Sequence, residues 1–75
     1  MQKSLTLEQL GYEYLDIARE IDEKIKEYNR RLTKAIRSYD PDEMLRLRRM
    51  IRLYYEQRSE LRYNGRLLVN YYEKE

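Results

Sequence analysis

The side chains of this 75-residue chain that could carry chemistry are charged groups, serines and tyrosines, because the sequence has no histidine and no cysteine. Thiolate chemistry, disulfides and the common zinc ligand sets are thereby excluded. Ser4, Ser38 and Ser59 have no histidine to act as a base, so nucleophilic catalysis of the usual kind is not expected. We therefore predict a protein that is not an enzyme and that uses no cofactor.

Three carboxylates lie close together in the sequence, at Asp40, Asp42 and Glu43, and such a group can suggest a metal site. Their types and spacing are also those of a helix start, because Asp40 precedes Pro41 and acids favour the first helical turn. A calcium loop would need more oxygen ligands than the neighbouring residues offer. The sequence therefore predicts helix capping here and no metal site.

The middle of the chain is rich in bases, although the whole chain has a formal net charge of only +2. The candidates for binding an anion or a partner are Arg30, Arg31, Lys34, Arg37, Arg46, Arg48 and Arg49. Like charges brought together by folding favour an acidic partner or another anion. The alternative is a solvated basic surface, in which Lys34 and Arg37 complement the dipole of a helix end. The small net charge argues against a protein drawn as a whole onto nucleic acid or membrane.

The first element that must position these groups is a helix over about residues 7–38. Thr6 is an N-cap candidate, and Gln9 stands three residues later, as in a capping box. Leu5 and Leu10 occupy the positions of a hydrophobic staple. Apolar residues then recur at steps of three and four, which is the helical period.

The second element is a helix over about residues 41–72, with Asp40 as its cap, Pro41 at its first position and Glu43 completing a capping box. Proline also excludes helical geometry from the residue before it, so the turn is confined to residues 39–40. Because short loops join antiparallel neighbours, the pattern predicts an antiparallel helical hairpin.

Folding the chain at this turn aligns apolar residues in one constant register, which is our main reason for predicting the hairpin. The pairs are Leu32 with Leu47, Tyr28 with Ile51, Ile25 with Tyr54, Ala18 with Leu61, Tyr14 with Gly65 and Leu7 with Tyr72. Asn64-Gly65 could be a helix stop, but room for the Tyr14 ring favours a continuous helix. Across the helices, Arg52 is expected near Glu27, and Arg62 and Arg66 near Glu13, Asp16 and Glu20.

The apolar residues exceed what one seam can bury, and so short a chain rarely builds a sufficient core alone. The candidate interface residues for self-association are Leu15, Leu53, Tyr55, Arg58, Leu67, Val69 and Tyr71. Arg58 holds a core position opposite Ile21, where it could reach solvent or set the partner number by taking an acid from a second chain. We predict an all-α, coiled-coil-like hairpin that forms a four-helix bundle as a homodimer.

The expected function is a non-enzymatic, homo-oligomeric interaction or adaptor module whose partners are itself and another protein. The alternative is a small nucleic-acid-associated regulator that uses the basic turn end. Nine tyrosines could stack on bases, but their helical spacing favours an interface. A cytoplasmic protein without membrane partners is expected, because the N-terminus lacks the apolar stretch of a signal peptide.

Two stretches resemble known proteins. Ile17 to Arg31 resembles the first helix of all-helical chorismate mutases, but the third helix of those enzymes has no counterpart here. Met44 to Tyr72, with its Arg-Arg, Glu-Leu-Arg and Tyr-Tyr-Glu elements, resembles small uncharacterised helical proteins from phage and mobile elements of Gram-positive bacteria. The second resemblance implies a helical fold and no defined activity.

Overall fold

The computed structural model describes residues 6–71, and they form two helices that pack against each other. Helix α1 spans Leu7–Arg37 and helix α2 spans Pro41–Val69. The predicted all-helical, two-helix architecture is therefore confirmed. Helix α2 ends three residues before the predicted end, and the expected pairing of Leu7 with Tyr72 lies outside the described residues.

The start of α1 is a complete capping box. The Gln9 backbone N–H donates to the Thr6 hydroxyl at 3.0 Å, and the Thr6 backbone N–H donates to the Gln9 side-chain oxygen at 3.0 Å. Two of the amides that a helix start leaves unpaired are thus satisfied by side chains. This prediction is confirmed, whereas Leu5 of the proposed staple lies outside the described residues.

The turn closes as a Schellman motif. The Tyr39 N–H donates to the Ile36 carbonyl at 3.2 Å, and the Asp40 N–H donates to the Ala35 carbonyl at 3.1 Å. Tyr39 takes a positive φ of 55°, the left-handed conformation that this motif requires and that glycine usually supplies. The chain therefore reverses within three residues.

Asp40 ends the turn and caps α2, because its carboxylate accepts the Glu43 N–H at 3.2 Å. The expected reciprocal bond of a capping box is not formed. The Asp40 N–H is already bonded to Ala35, and the Glu43 carboxylate binds Arg46 at 2.7 and 3.1 Å. The predicted cap is therefore confirmed. The predicted capping box is wrong, because the Asp40 backbone N–H that it requires is already bonded within the turn.

The helices run antiparallel with a register close to the predicted one, from which the Asp22–Arg58 contact is offset by one residue and the Tyr28–Tyr54 contact by three. Going outward from the turn, Tyr28 packs on Tyr54 with ring centroids 5.3 Å apart, and Asp22 binds Arg58. Helix α2 continues through Gly65, as predicted, but the atoms nearest to a Cβ there belong to Leu15 and Gly11 and not to Tyr14. A Cβ on Gly65 would lie 2.8 Å from the Leu15 side chain and 3.0 Å from the Gly11 carbonyl oxygen.

The core is a thin seam between the helices. The buried apolar residues are Ala18, Ile21, Ile25, Ala35, Leu47 and Ile51. Among the larger side chains of residues 6–71, Leu47 alone is fully buried. The radius of gyration is 17.0 Å, whereas a compact chain of this length would have about 11 Å. The hairpin is thus a slab with extents of 54 × 30 × 14 Å, one helix thick, and both of its broad faces lie open.

Candidate functional site

The two broad faces of the slab carry different residues. Positions seven apart lie on the same side of a helix in an antiparallel pair, so each face is built from rows with that spacing. Asp22 of α1 binds Arg58 and lies 3.9 Å from Arg62 of α2, which fixes one face. Arg31, nine residues from Asp22, is turned about 180° away from it and marks the other.

We call the first the arginine face. Its rows on α2 contain Arg48, Arg52, Arg62 and Arg66, with Tyr55, Ser59, Leu45 and Val69. Its rows on α1 contain Arg19 and Lys26, with Leu15, Asp22, Asn29, Thr33, Ile36 and Tyr12. A shallow depression lined by Leu15, Arg19, Asp22, Arg62 and Arg66 spans the two helices there. Within residues 6–71 these rows contain six bases and two carboxylates, Asp22 and Glu8, so this face is positively charged. Two of its bases, Arg19 and Lys26, pair with Asp16 and Glu23 of their own helix.

We call the second the apolar face. It consists of Leu10, Tyr14, Ile17, Met50, Leu53, Leu61, Leu67, Leu68 and Tyr71, each half-buried or exposed in the hairpin. Its charged rows are balanced, because Glu13, Glu20, Glu27, Glu43 and Glu60 accompany Lys24, Arg31, Lys34 and Arg46. The larger seam residues lean toward this side, whereas Gly11, Ala18 and Gly65 close the seam on the arginine face.

An ionic network holds the seam on the arginine face. Arg58 donates a hydrogen bond to Asp22, and its guanidinium lies 4.7 Å from the centre of the Tyr55 ring. The hydrogen bond from Arg58 holds the pKa of Asp22 below its usual range, although partial burial opposes this. Arg58 Nε is buried without a partner. The acid that Arg58 requires is therefore supplied within the same hairpin.

The other expected cross-helix ion pairs are wrong. Glu27 binds Arg30 at 3.2 Å and Arg31 at 3.4 Å within its own helix, so it is not paired with Arg52. Asp16 binds Arg19 at 3.2 Å, also within α1. Neighbours three and four positions away on a helix are closer than residues across the seam, and they satisfy these acids first.

The seven basic residues proposed as a turn-end cluster are exposed, and three of them pair with carboxylates of their own helices. Arg30 and Arg31 bind Glu27, and the Arg31 guanidinium also lies 5.1 Å from the centre of the Tyr28 ring. Arg46 binds Glu43, whose carboxylate raises the pKa of the guanidinium. Within the described residues, no carboxylate pairs with Lys34, Arg37, Arg48 or Arg49, and these four point to different sides of the hairpin. The cluster is thus largely neutralised or dispersed.

The seven residues proposed for self-association divide between the two faces. Leu15 packs at Gly65 and Val69 packs at Gly11, where the helices approach closely. Tyr55 and Arg58 belong to the network around Asp22. These four lie toward the arginine face. Leu53, Leu67 and Tyr71 lie on the apolar face and are exposed. Sequence reasoning missed Leu10, Ile17 and Met50 there, although their helical phase relative to the seam could have identified them.

Tyr28 and Tyr54 pack against each other at the centre of the hairpin, and this environment shifts the pKa of Tyr54. Tyr28 and Tyr54 meet edge to face, with their ring planes at 87°. Burial raises the pKa of Tyr54, and the adjacent Tyr28 hydroxyl adds to the increase. These rings fill the seam, so they offer no free stacking surface.

Two further features can be looked for in the described residues, a metal site and a membrane-spanning helix. No group of three or more possible metal ligands converges within residues 6–71. No helix in that range combines the length and apolar character needed to cross a membrane. No family model, no curated protein and no solved structure matches the chain. The two faces are therefore the features from which function must be argued.

Proposed function

We propose that the chain is a non-enzymatic, homo-oligomeric interaction module in which two hairpins pack through their apolar faces into a four-helix bundle. The observation that carries this proposal is the apolar face itself. Ile17 and Leu53 are 43% and 50% exposed there, beside half-buried Tyr14, Leu61 and Leu68. Amphipathic helices gain most of their stability when their apolar side is buried by packing against another element.

Charge decides which face the second hairpin covers. In a twofold dimer each face meets its own copy. Two arginine faces would bring their unbalanced positive charges together, which is unfavourable. The apolar faces carry nearly equal numbers of acids and bases and can meet without that repulsion.

The size of the hairpin is compatible with such an interface. A standard protein interface buries about 800 Å² per partner. The hairpin has 6330 Å² of accessible surface, so an interface of that size would take about one eighth of it. Packing through the apolar face would leave the arginine face exposed on each outer side.

Sedimentation equilibrium tests the proposal at micromolar concentration. A mass of twice the 9.4 kDa chain or a larger multiple is expected, with a melting temperature that rises with concentration. A cooperatively melting monomer whose melting temperature is independent of concentration would contradict it.

A further inference from the structure

We propose that the arginine face binds the phosphodiester backbone of a nucleic acid. The proposal concerns a different surface from the apolar face, apart from Leu67, which borders both. It does not rest on the dimer, because each hairpin carries a complete arginine face.

The first argument is unbalanced charge. Arg48, Arg52 and Arg66 have no ion pair among the described residues, and Arg62 has only the distant Asp22 carboxylate at 3.9 Å. Asp22 is itself held by Arg58. Within residues 6–71, four arginines without a close ion pair therefore lie on one side of the hairpin, in a chain whose net charge is only +2.

The second argument is the shape of the charged array. Arg48 to Arg66 covers 18 residues, or roughly 27 Å along the helix axis. Within it, Arg48 and Arg52 are one turn apart, and so are Arg62 and Arg66. A small anion would need guanidinium groups that converge on one point. A row of this length instead matches an extended chain of phosphates.

The third argument is an aromatic ring beside the arginines. One shallow depression on the outer side of α2 is lined by Ser59, Arg62, Tyr63, Arg66, Leu67 and Asn70. Tyr63 is 65% exposed, so its ring is open to a ligand. Guanidinium groups that bind phosphate next to a ring that stacks on a base form the usual combination for single-stranded nucleic acid. An acidic peptide or a lipid surface would not require the ring.

The test is fluorescence anisotropy with a labelled oligothymidylate of about 16 nucleotides and with a duplex of equal length. Binding should weaken steeply with salt, because each neutralised phosphate releases counterions. Tyr63→Ala should weaken binding of the single strand more than that of the duplex. An unchanged affinity would place the ring outside the site, and equal weakening of both ligands would overturn its stacking on unpaired bases.

A matched pair of variants separates the face from net charge. Arg52→Gln with Arg66→Gln removes two charges from the arginine face, and Arg37→Gln with Arg49→Gln removes two exposed, unpaired charges from other sides. The first pair should reduce affinity roughly tenfold or more, and the second only by about twofold. Equal losses would contradict the proposal, as would no binding of either oligonucleotide at low salt.

Two further probes decide the class of ligand. Polyglutamate and phosphatidylserine vesicles are titrated under the same conditions, with circular dichroism confirming that every variant remains helical. Weaker binding of both probes than of the oligonucleotides is expected. Binding of polyglutamate or of the vesicles as tight as that of the oligonucleotides would overturn recognition of nucleic acid in favour of an acidic protein or a membrane surface.

Discussion

Two glycines set the distance between the helices at the end of the hairpin away from the turn. A Cβ on Gly11 would lie 2.7 Å from the Gly65 carbonyl oxygen and 2.8 Å from the Val69 side chain. Neither glycine has a positive φ, so their role is close approach and not a turn. The sequence interpretation found one partner of this contact, Gly65, and missed Gly11.

Gly11→Ala should destabilise the hairpin. Alanine is favoured over glycine in a helix by about 1 kcal/mol, but overpacking against a backbone atom costs about 1–3 kcal/mol. Gly65→Ala should cost less, because its closest neighbour is the movable Leu15 side chain at 2.8 Å. Urea denaturation of both variants measures the difference.

Leu15→Ala provides the control for this pair. It removes the side-chain atoms nearest to a Cβ at residue 65, so Gly65→Ala should be better tolerated in that background than alone. A Gly11→Ala variant more stable than the parent chain would show that the helices do not approach as closely as described.

Asp22 makes stability depend on pH. Its pKa is lowered in the folded chain by Arg58, while the unfolded value is about 3.9. Its contribution is therefore present above the unfolded pKa and is lost as the pH falls through the folded pKa. Asp22→Asn should lower the urea midpoint at neutral pH and make the loss on acidification smaller.

Asp16→Asn is the matched control, because Asp16 pairs with Arg19 within α1 and both side chains are mostly exposed. It should change the midpoint little at any pH. If Asp16→Asn and Asp22→Asn shift the urea midpoint equally across the acidic range, the Asp22–Arg58 network has no special role.

At the scale of the elements, local signals made the helix starts and the turn predictable. Thr6, Gln9, Asp40 and Pro41 act within one turn of their own positions, so the sequence contains the whole interaction. The rotation of each helix about its axis is different, because it depends on packing along the full length. An error of one residue, from Leu15 to Tyr14, rotates the expected contact by about 100°. The partner of Gly65 was therefore predicted wrongly although the overall register was close to the predicted one.

The turn contains a residue that a substitution should improve. Tyr39 has a φ of 55° and is 89% exposed, so its ring contributes little packing. A left-handed conformation costs a non-glycine residue about 1–2 kcal/mol. Tyr39→Gly should relieve this strain and, after the greater freedom of glycine in the unfolded chain, stabilise the hairpin by up to about 1 kcal/mol.

The neighbouring residue supplies the control. Ser38 has a φ of −87°, so glycine relieves no strain there, and Ser38→Gly should destabilise by about 0.5–1 kcal/mol. Thermal melts of the two variants at one concentration give the comparison. The two shifts in melting temperature need not be equal in size. A melting temperature for Tyr39→Gly below that of the parent chain would contradict the strained turn.

At the scale of the whole molecule, charge must be counted around the helices and not along the chain. Counting along the sequence predicted a basic turn end, where the described structure places Arg30, Arg31 and Arg46 on carboxylates of their own helices. The heptad rows instead separate a positive face from a balanced, apolar one. Only the rotation of each helix relative to the seam reveals this, which is why the basic cluster was predicted and the arginine face was not.

The slab is one helix thick, and this thickness is the reason for expecting a second layer. Leu47 is the largest side chain that residues 6–71 bury completely, and the apolar face leaves its leucines and Ile17 half-covered or exposed. A four-helix bundle would place those residues in a core between two hairpins. The same arrangement would keep both arginine faces on the outside.

The most direct measurement compares sedimentation equilibrium of two double variants that carry the same chemical change on opposite faces. Ile17→Gln with Leu53→Gln alters the apolar face, and Ile36→Gln with Leu45→Gln alters the arginine face. The exposures match closely, at 43% and 50% against 44% and 53%. The account predicts a weakened or monomeric first variant and a second variant that associates like the parent chain. Loss of association in the second variant alone, or identical behaviour of the two, would contradict assembly through the apolar face.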